Sequence, residues 1–198
     1  MKTNLSRPLQ GIIFDLDGTL ADTGLNFSQM CIDAGLSVGT RILEHCEELQ
    51  DQEEVARILS IVEKHEIDGA YAASWIFDAE SVLSRFYQAN IPMAIVTRNM
   101  KEAARITIKR LGIPIDLVIT REDCKPKPDP EGLLMVASGW GISPNELVYV
   151  GDFEFDLIAA RDAGMMSCLV SNGRNQHLNS MADKVIYSFA ELNQYFRF

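Results

Sequence analysis

Gly11-Ile12-Ile13-Phe14-Asp15-Leu16-Asp17-Gly18-Thr19-Leu20 decides how this chain folds. An apolar run rich in β-branched residues stops at two carboxylates separated by a single residue, and Gly and Thr follow. Short and bounded by glycines, the run reads as a strand buried on both faces of a parallel sheet. In open α/β sheets chemistry gathers beyond the carboxyl ends of the strands, and Asp15 and Asp17 stand at that edge. Two like charges this close call for a cation or a shared proton. Mg²⁺ suits hard carboxylate oxygens and leaves room for water and phosphate. Gly18 permits the sharp turn, and Thr19 brings a hydroxyl and an amide to the loop.

Further apolar runs of strand length follow. Residues 91–97 end on Thr97, with Pro92 tolerable at the start. Arg98 comes next, and Asn99 reads as the N-cap of a helix with Glu102 at its third position. That places Thr97 at a helix N-terminus, where amides and the macrodipole favour an anion. A third strand is expected over 115–119. Cys124-Lys125-Pro126-Lys127-Pro128-Asp129-Pro130 then excludes both helix and central strand. It is a stiff loop that holds a lysine at a fixed spot, with Asp129 as N-cap and Pro130 at the first helical position. Cys124 reads as an inert thiol, with nearby lysines depressing its pKa somewhat. Ser143-Pro144-Asn145-Glu146 carries an N-cap pattern for a single turn, leading into a fourth strand over 147–150. That strand ends in Gly151-Asp152-Phe153-Glu154-Phe155-Asp156, and a helix is expected over 157–163. Residues 166–170 make a fifth strand, and an edge strand is expected around 184–187.

Between the first two strands the pattern changes. Residues 21–78 show helical periodicity and no convincing strand. Asp51 caps an acidic first turn, and Val55, Ile58, Leu59 and Val62 follow at amphipathic spacing. Shorter helices are expected over 30–36 and 42–49, and another over 79–89. His45 and His65 lack a second histidine at ligand spacing. Glu44, Glu47, Glu48, Asp51, Glu53 and Glu54 read as a solvated acidic face.

Bulk properties narrow the function classes. The 198 residues suffice for one core with a small appended unit. A net charge of −10 and a pI near 4.7 argue against nucleic acid or an anionic membrane surface as partner. No run is long enough for a membrane span, and the N-terminus lacks a signal-peptide core. The four cysteines show no C-x-x-C spacing, which points to reduced thiols and a cytoplasmic protein.

Taken together, the Asp-x-Asp-Gly-Thr stretch, Thr97, the Lys-Pro loop and Gly151-Asp152 with Asp156 resemble the four motifs of the haloacid-dehalogenase-like (HAD) superfamily, in that superfamily's order. The resemblance runs from about residue 12 to 170 and is nearest to subfamily I with a C1 helical cap, the phosphoglycolate-phosphatase-like branch. It implies an α/β fold: a doubly wound, Rossmann-like parallel sheet (residues 1–20 and 80–198) with a small helical cap (21–79). The cap is short for that family, which bears on the substrate more than on the chemistry. It further implies a Mg²⁺-dependent phosphatase acting on a small phosphorylated metabolite. Asp15 would attack phosphorus and form an aspartyl-phosphate, and Asp17 would serve as acid and then base. Asp15, the main-chain carbonyl of Asp17, and Asp152 would hold the metal. Thr97, Arg98 and the motif lysine would bind phosphate, with Gly18, Thr19 and Asp156 supporting. Apolar residues six and seven positions after the lysine fit Lys127 (Leu133, Leu134) rather than Lys125 (Glu131, Gly132). Asp17 separates the chain from dehalogenases and phosphonate-cleaving relatives. A β-phosphoglucomutase-like mutase and a non-catalytic receiver-like phospho-acceptor are the alternatives. The insert shows no clear basic pair for a second phosphate, and receivers lack Asp-x-Asp-Gly-Thr. A monomer or homodimer is expected.

Overall fold

The computed structural model describes residues 9–196. Residues 1–4, on which the expectation of no signal peptide rests, lie outside them. Six parallel strands form the main sheet: β1 (Gly11–Phe14), β4 (Met93–Val96), β5 (Leu117–Ile119), β6 (Leu147–Gly151), β7 (Met166–Val170) and β8 (Lys184–Ile186). Their spatial order is β5-β4-β1-β6-β7-β8. The chain winds outward from β1 on one side, then returns and winds outward on the other. The order therefore reverses at β1, and the crevice at such a switch point lies beyond the carboxyl ends of β1, β4 and β6. The expected edge strand is β8.

Each strand is apolar on both faces because helices cover both. From β1, Ile12 and Phe14 enter one core with Leu83 and Phe86 of α4 (Ala79–Gln88), Ala104 of α5 (Lys101–Leu111), and Phe189. Ile13 enters the opposite core with Leu133 and Val136 of α6 (Glu131–Trp140) and Ala159 and Ala160 of α7 (Glu154–Asp162). Ile12, Ile13 and Phe14 are fully buried, and each contributes about 1.5–3 kcal/mol by leaving water.

The stretch after β1 holds α1 (Phe27–Asp33), α2 (Ile42–Glu48) and the 21-residue α3 (Gln52–Ala72). Met30, Cys31, Ile42, Cys46, Ile58 and Val62 give these helices a cluster of their own. Asp51 caps α3, its carboxylate accepting from the amides of Glu53 and Glu54. The expectation of no strand between 21 and 78 is corrected. β2 (Ala21–Asp22) and β3 (Ser74–Trp75) pair antiparallel where the insert leaves and rejoins the sheet. Two-residue strands leave no periodicity to read. The insert also rests on the sheet-flanking layer: Ile67 and Ala70 of α3 pack against Met100, Ala103 and Ile106 of α5. No helix among the described residues is long and apolar enough to cross a membrane.

Several helix starts differ from expectation. The N-cap of α5 is Met100 rather than Asn99, because the Asn99 side chain has another partner, described below. Pro130 rather than Asp129 caps α6, with Asp129 Oδ1 accepting from the Glu131 amide at 2.9 Å. The turn Pro144–Glu146 forms without a side-chain bond from Ser143. Helix α7 begins at Glu154, three residues before Leu157, which puts Asp156 in its first turn. α1 lies earlier than residues 30–36, capped by Asn26.

Candidate active site

Beyond the carboxyl ends of β1 and β6 the chain gathers Lys127, Asp15 and Asp156, all buried, and the half-buried Asp152. After β1 it turns tightly, with the amides of Leu20 and Ala21 both bonded to Leu16 O at 2.9 Å. Gly18 has φ of +78°, and a Cβ there would meet the Asp152 carboxylate at 2.5 Å. Only glycine therefore lets the β1 loop close against the end of β6. A Cβ on Gly151 would collide with Asp156, so the last residue of β6 has no side chain because the Asp156 carboxylate lies over it.

At the centre is Lys127, 3% exposed. Its Nζ donates to Asp15 Oδ1 at 2.6 Å, Asp156 Oδ1 at 2.7 Å and Tyr149 Oη at 2.6 Å. Three acceptors satisfy the three donors of an ammonium. Burial alone would lower the Lys127 pKa, but Asp15 and Asp156 outweigh it and hold the group above its ordinary value. Lys125 is exposed. The other Asp156 oxygen accepts from the amides of Phe153 (2.9 Å) and Asp152 (3.2 Å). Asp156 thus orients Lys127 and closes the first turn of α7 at once, and both of its oxygens are engaged.

Asp15, Asp152 and Asp156 offer carboxylate oxygens within 4.8 Å of one another. Burial, with Asp156 and Asp152 adding to it and Lys127 opposing, pushes Asp15 up to about 8. Burial and the Asp156 charge push Asp152 to about 7. At neutral pH a further positive charge favours ionising both carboxylates. Asp156 being saturated, Asp15 and Asp152 remain to meet it. Hard oxygens around a tight, partly open crevice fit a small divalent cation. Asp152 is held in place by Thr19 Oγ1 and Asn172 Nδ2, both at 3.4 Å, and its backbone carbonyl accepts from Asn175 Nδ2 at 2.8 Å.

Asp17 stands in different surroundings. Asn99 Nδ2 donates to its Oδ2, while Oδ1 is buried with no hydrogen-bond partner among the described residues. Burial pushes its pKa to about 6, against hydrogen bonds from Thr23 and Asn99. Thr97, buried just past β4, accepts the Asn99 amide on Oγ1 at 3.2 Å. The backbone after Thr97 is braced from two sides. Arg121 Nη1 donates to Arg98 O at 2.9 Å and to Glu66 Oε1 at 2.5 Å, and Glu66 Oε2 accepts the Met100 amide at 2.9 Å. Burial raises the Glu66 pKa, and Arg121 opposes the rise.

The Arg98 side chain is already engaged: Nη1 donates to Lys127 O and Nη2 to Glu44 Oε1 at 2.9 Å. Arg98 and Arg41 both lie against the Phe155 ring, at 4.7 and 4.8 Å, and Arg41 reaches Glu154 at 3.8 Å. Helix α2 and its N-cap therefore lie across the loop after β4 and the first turn of α7. The reading of Glu44 as part of a solvated face is corrected, since it pairs with Arg98. The lysine effect expected at Cys124 is also corrected: burial and neighbouring Glu131, Asp123 and Asp129 raise its pKa. His65 bonds Asp33 at 2.8 Å, away from these groups. The four cysteines are free thiols.

Asp15, Asp17, Thr97, Lys127, Asp152 and Asp156 all lie at this one edge of the sheet. Tyr149, Asn99, Glu66, Arg121, Asn172 and Asn175 also belong here and were not expected. Tyr149 had a signal, a phenol inside an apolar strand whose hydroxyl must find a partner when buried. Asn172 and Asn175, following the fifth strand, had only their position at a strand end.

The comparisons agree with this architecture. The model of the haloacid dehalogenase-like hydrolase family matches residues 34–170. A haloacid dehalogenase-like hydrolase domain-containing protein of Arabidopsis thaliana is 30% identical over 86% of this chain and 74% of its own. A phosphoglycolate phosphatase of Xanthomonas campestris pv. campestris is 29% identical over 80% of this chain and 81% of its own. A HAD phosphatase from Thermococcus onnurineus superposes with a TM-score of 0.71 at 22% identity, covering 96% of this chain and all of the other (100%), and so shares the fold. The strand order, the motif-bearing strand ends and these matches agree: this chain belongs to the haloacid dehalogenase-like hydrolase family.

Proposed function

We propose that the protein is a Mg²⁺-dependent phosphatase that hydrolyses a small phosphorylated metabolite, a phosphomonoester, in two displacements. The observation that carries this reading is Lys127 Nζ held between Asp15 and Asp156, with Asp152 alongside. A carboxylate fixed this way points its remaining oxygen in one direction, as an attacking nucleophile requires. Asp15 attacks phosphorus, the ester bond to the leaving group breaks, and an aspartyl-phosphate forms. Asp17, whose Oδ1 has no hydrogen-bond partner among the described residues, gives its proton to the departing oxygen. It then takes one from the water that cleaves the acyl-phosphate. Asp15, the Asp17 main-chain carbonyl and Asp152 would hold Mg²⁺, which when bound supplies charge neutralisation between carboxylate and phosphate. Thr97 steadies a phosphoryl oxygen, and Lys127, its three donors already bonded, contributes its nearby positive charge.

The helices of residues 21–79 are read as a cap over this crevice, with α2 at its mouth. Both guanidiniums there face carboxylates, Arg98 with Glu44 and Arg41 with Glu154. That pairing supports monoester hydrolysis over a mutase, which needs cations for a second phosphoryl group. Hydrolysis of phosphate esters, phosphoglycolate among them, assayed with Mg²⁺ and with chelator, tests the proposal. Wild-type protein should turn over at least one ester only when Mg²⁺ is present, and Asp15→Asn should abolish that turnover. Undiminished hydrolysis by Asp15→Asn would remove the assigned nucleophile.

A further inference from the structure

Asp17 depends on residues that none of the four motifs contains. Its one side-chain anchor from the β4 loop is Asn99 Nδ2. Asn99 is in turn held through its backbone by a buried ion pair: the Asn99 carbonyl accepts the Arg121 amide at 3.4 Å, the preceding carbonyl accepts Arg121 Nη1, and the following amide donates to Glu66. The Glu66 and Arg121 side chains are only 7% and 11% exposed. Glu66 projects from α3, in the helical insert, whereas Arg121 follows β5. The polar groups of the backbone on both sides of Asn99 are therefore tied to one carboxylate and one guanidinium.

We propose that Asn99 and the Glu66–Arg121 pair are positioning residues for Asp17, so that the insert completes the acid side of the active site through α3. The inference rests on Asp17 being the proton donor, as argued above. A carboxylic acid acts on the leaving oxygen only from within hydrogen-bond reach. With Asn99 fixed, Asp17 Oδ2 is held and Oδ1 is the oxygen left for that contact. Releasing Asn99 leaves Asp17 only its Thr23 hydrogen bond, so the carboxyl loosens while Asp15, Lys127 and Asp152 stay in place. Loss of the donor then affects substrates unequally. An ester with a poor leaving group needs the proton, whereas a nitrophenolate leaves with little help.

The test is the ratio of kcat/KM for 4-nitrophenyl phosphate to that for phenyl phosphate, measured with Mg²⁺ on the full chain. This constant reports the first displacement, in which the leaving group departs. Asn99→Ala and Glu66→Ala should each raise the ratio roughly tenfold over wild type. Glu66→Gln, which still offers an acceptor to the Met100 amide, should return part of the way. Asp17→Asn should raise it at least as far. A role confined to folding would lower both constants together and leave the ratio where it was. An unchanged ratio in folded Asn99→Ala and Glu66→Gln, with the Asp17→Asn ratio raised, overturns this inference alone. If Glu66→Ala does not fold, those two variants decide. An unchanged ratio in Asp17→Asn itself overturns both the inference and the reading of Asp17 as acid.

Discussion

Asp15 and Asp17 are two residues apart in sequence but sit in opposite settings. On the Asp15 side the ammonium and its partner are fully bonded: Lys127 meets three acceptors, and both Asp156 oxygens are engaged. On the Asp17 side Asn99 and Thr23 bond the carboxyl, and Oδ1 has no hydrogen-bond partner among the described residues. The first arrangement immobilises a carboxylate against an ammonium. The second leaves a carboxyl that can hold and release a proton. In the proposed reaction one turn of chain carries both the nucleophile and the acid, told apart by the ammonium bonded to Asp15 and the Asn99 amide bonded to Asp17 rather than by residue type.

The Lys127 side should break first and hardest. Lys127→Ala removes the only cation bonded to Asp15 and Asp156 among the described residues, and activity should fall by roughly 10²–10³. Uncompensated buried charge should also cost about 3–5 kcal/mol of stability. Lys125→Ala, at an exposed position, should stay within about 0.5 kcal/mol of wild type and keep its activity. Steady-state kinetics and denaturant unfolding of the two variants check this. Equal losses would erase the distinction between the lysines.

A smaller effect separates proton from metal. Asp17, Asp152 and Asp15 rise from 3.8 to about 6, 7 and 8 in the folded chain. Between these values and 3.8 the metal-free native state binds more protons than the unfolded one, so its stability falls as pH rises through that window. A cation that takes the place of those protons helps most where they have been lost. The melting-temperature increase caused by Mg²⁺ should therefore be larger at pH 8 than at pH 6. An increase independent of pH, or none, would count against Asp15 and Asp152 as the cation's ligands.

The contrast between the two sides also explains what the sequence disclosed. The Asp15 side is written in short local signals: an apolar run ending in Asp-x-Asp-Gly, a proline-stiffened lysine, a Gly-Asp at a strand end. Each pairs a strand's period with a turn, and the strand order then gathers them at one crevice. The Asp17 side depends on side chains that come from three separate elements. Nothing near Glu66 distinguishes it from the other acids of an amphipathic helix, and Arg121 lies in an unpatterned loop. Asn99 suits an N-cap as well as a partner for Asp17, and only the folded distance decides. β2 and β3 were illegible because two residues carry no alternation, and the long reach of α3 because a helix packed on both the insert and α5 has no single apolar stripe.

The central claim is that the Asp15 carboxylate itself receives the phosphoryl group. Acid quench during Mg²⁺-dependent turnover, followed by borohydride reduction and peptide mass mapping, reads this directly. The account predicts conversion of Asp15 to homoserine, only in samples quenched during turnover and absent when Mg²⁺ is chelated. An unreduced Asp15 in protein quenched at full turnover, or a label on any other residue, would contradict it.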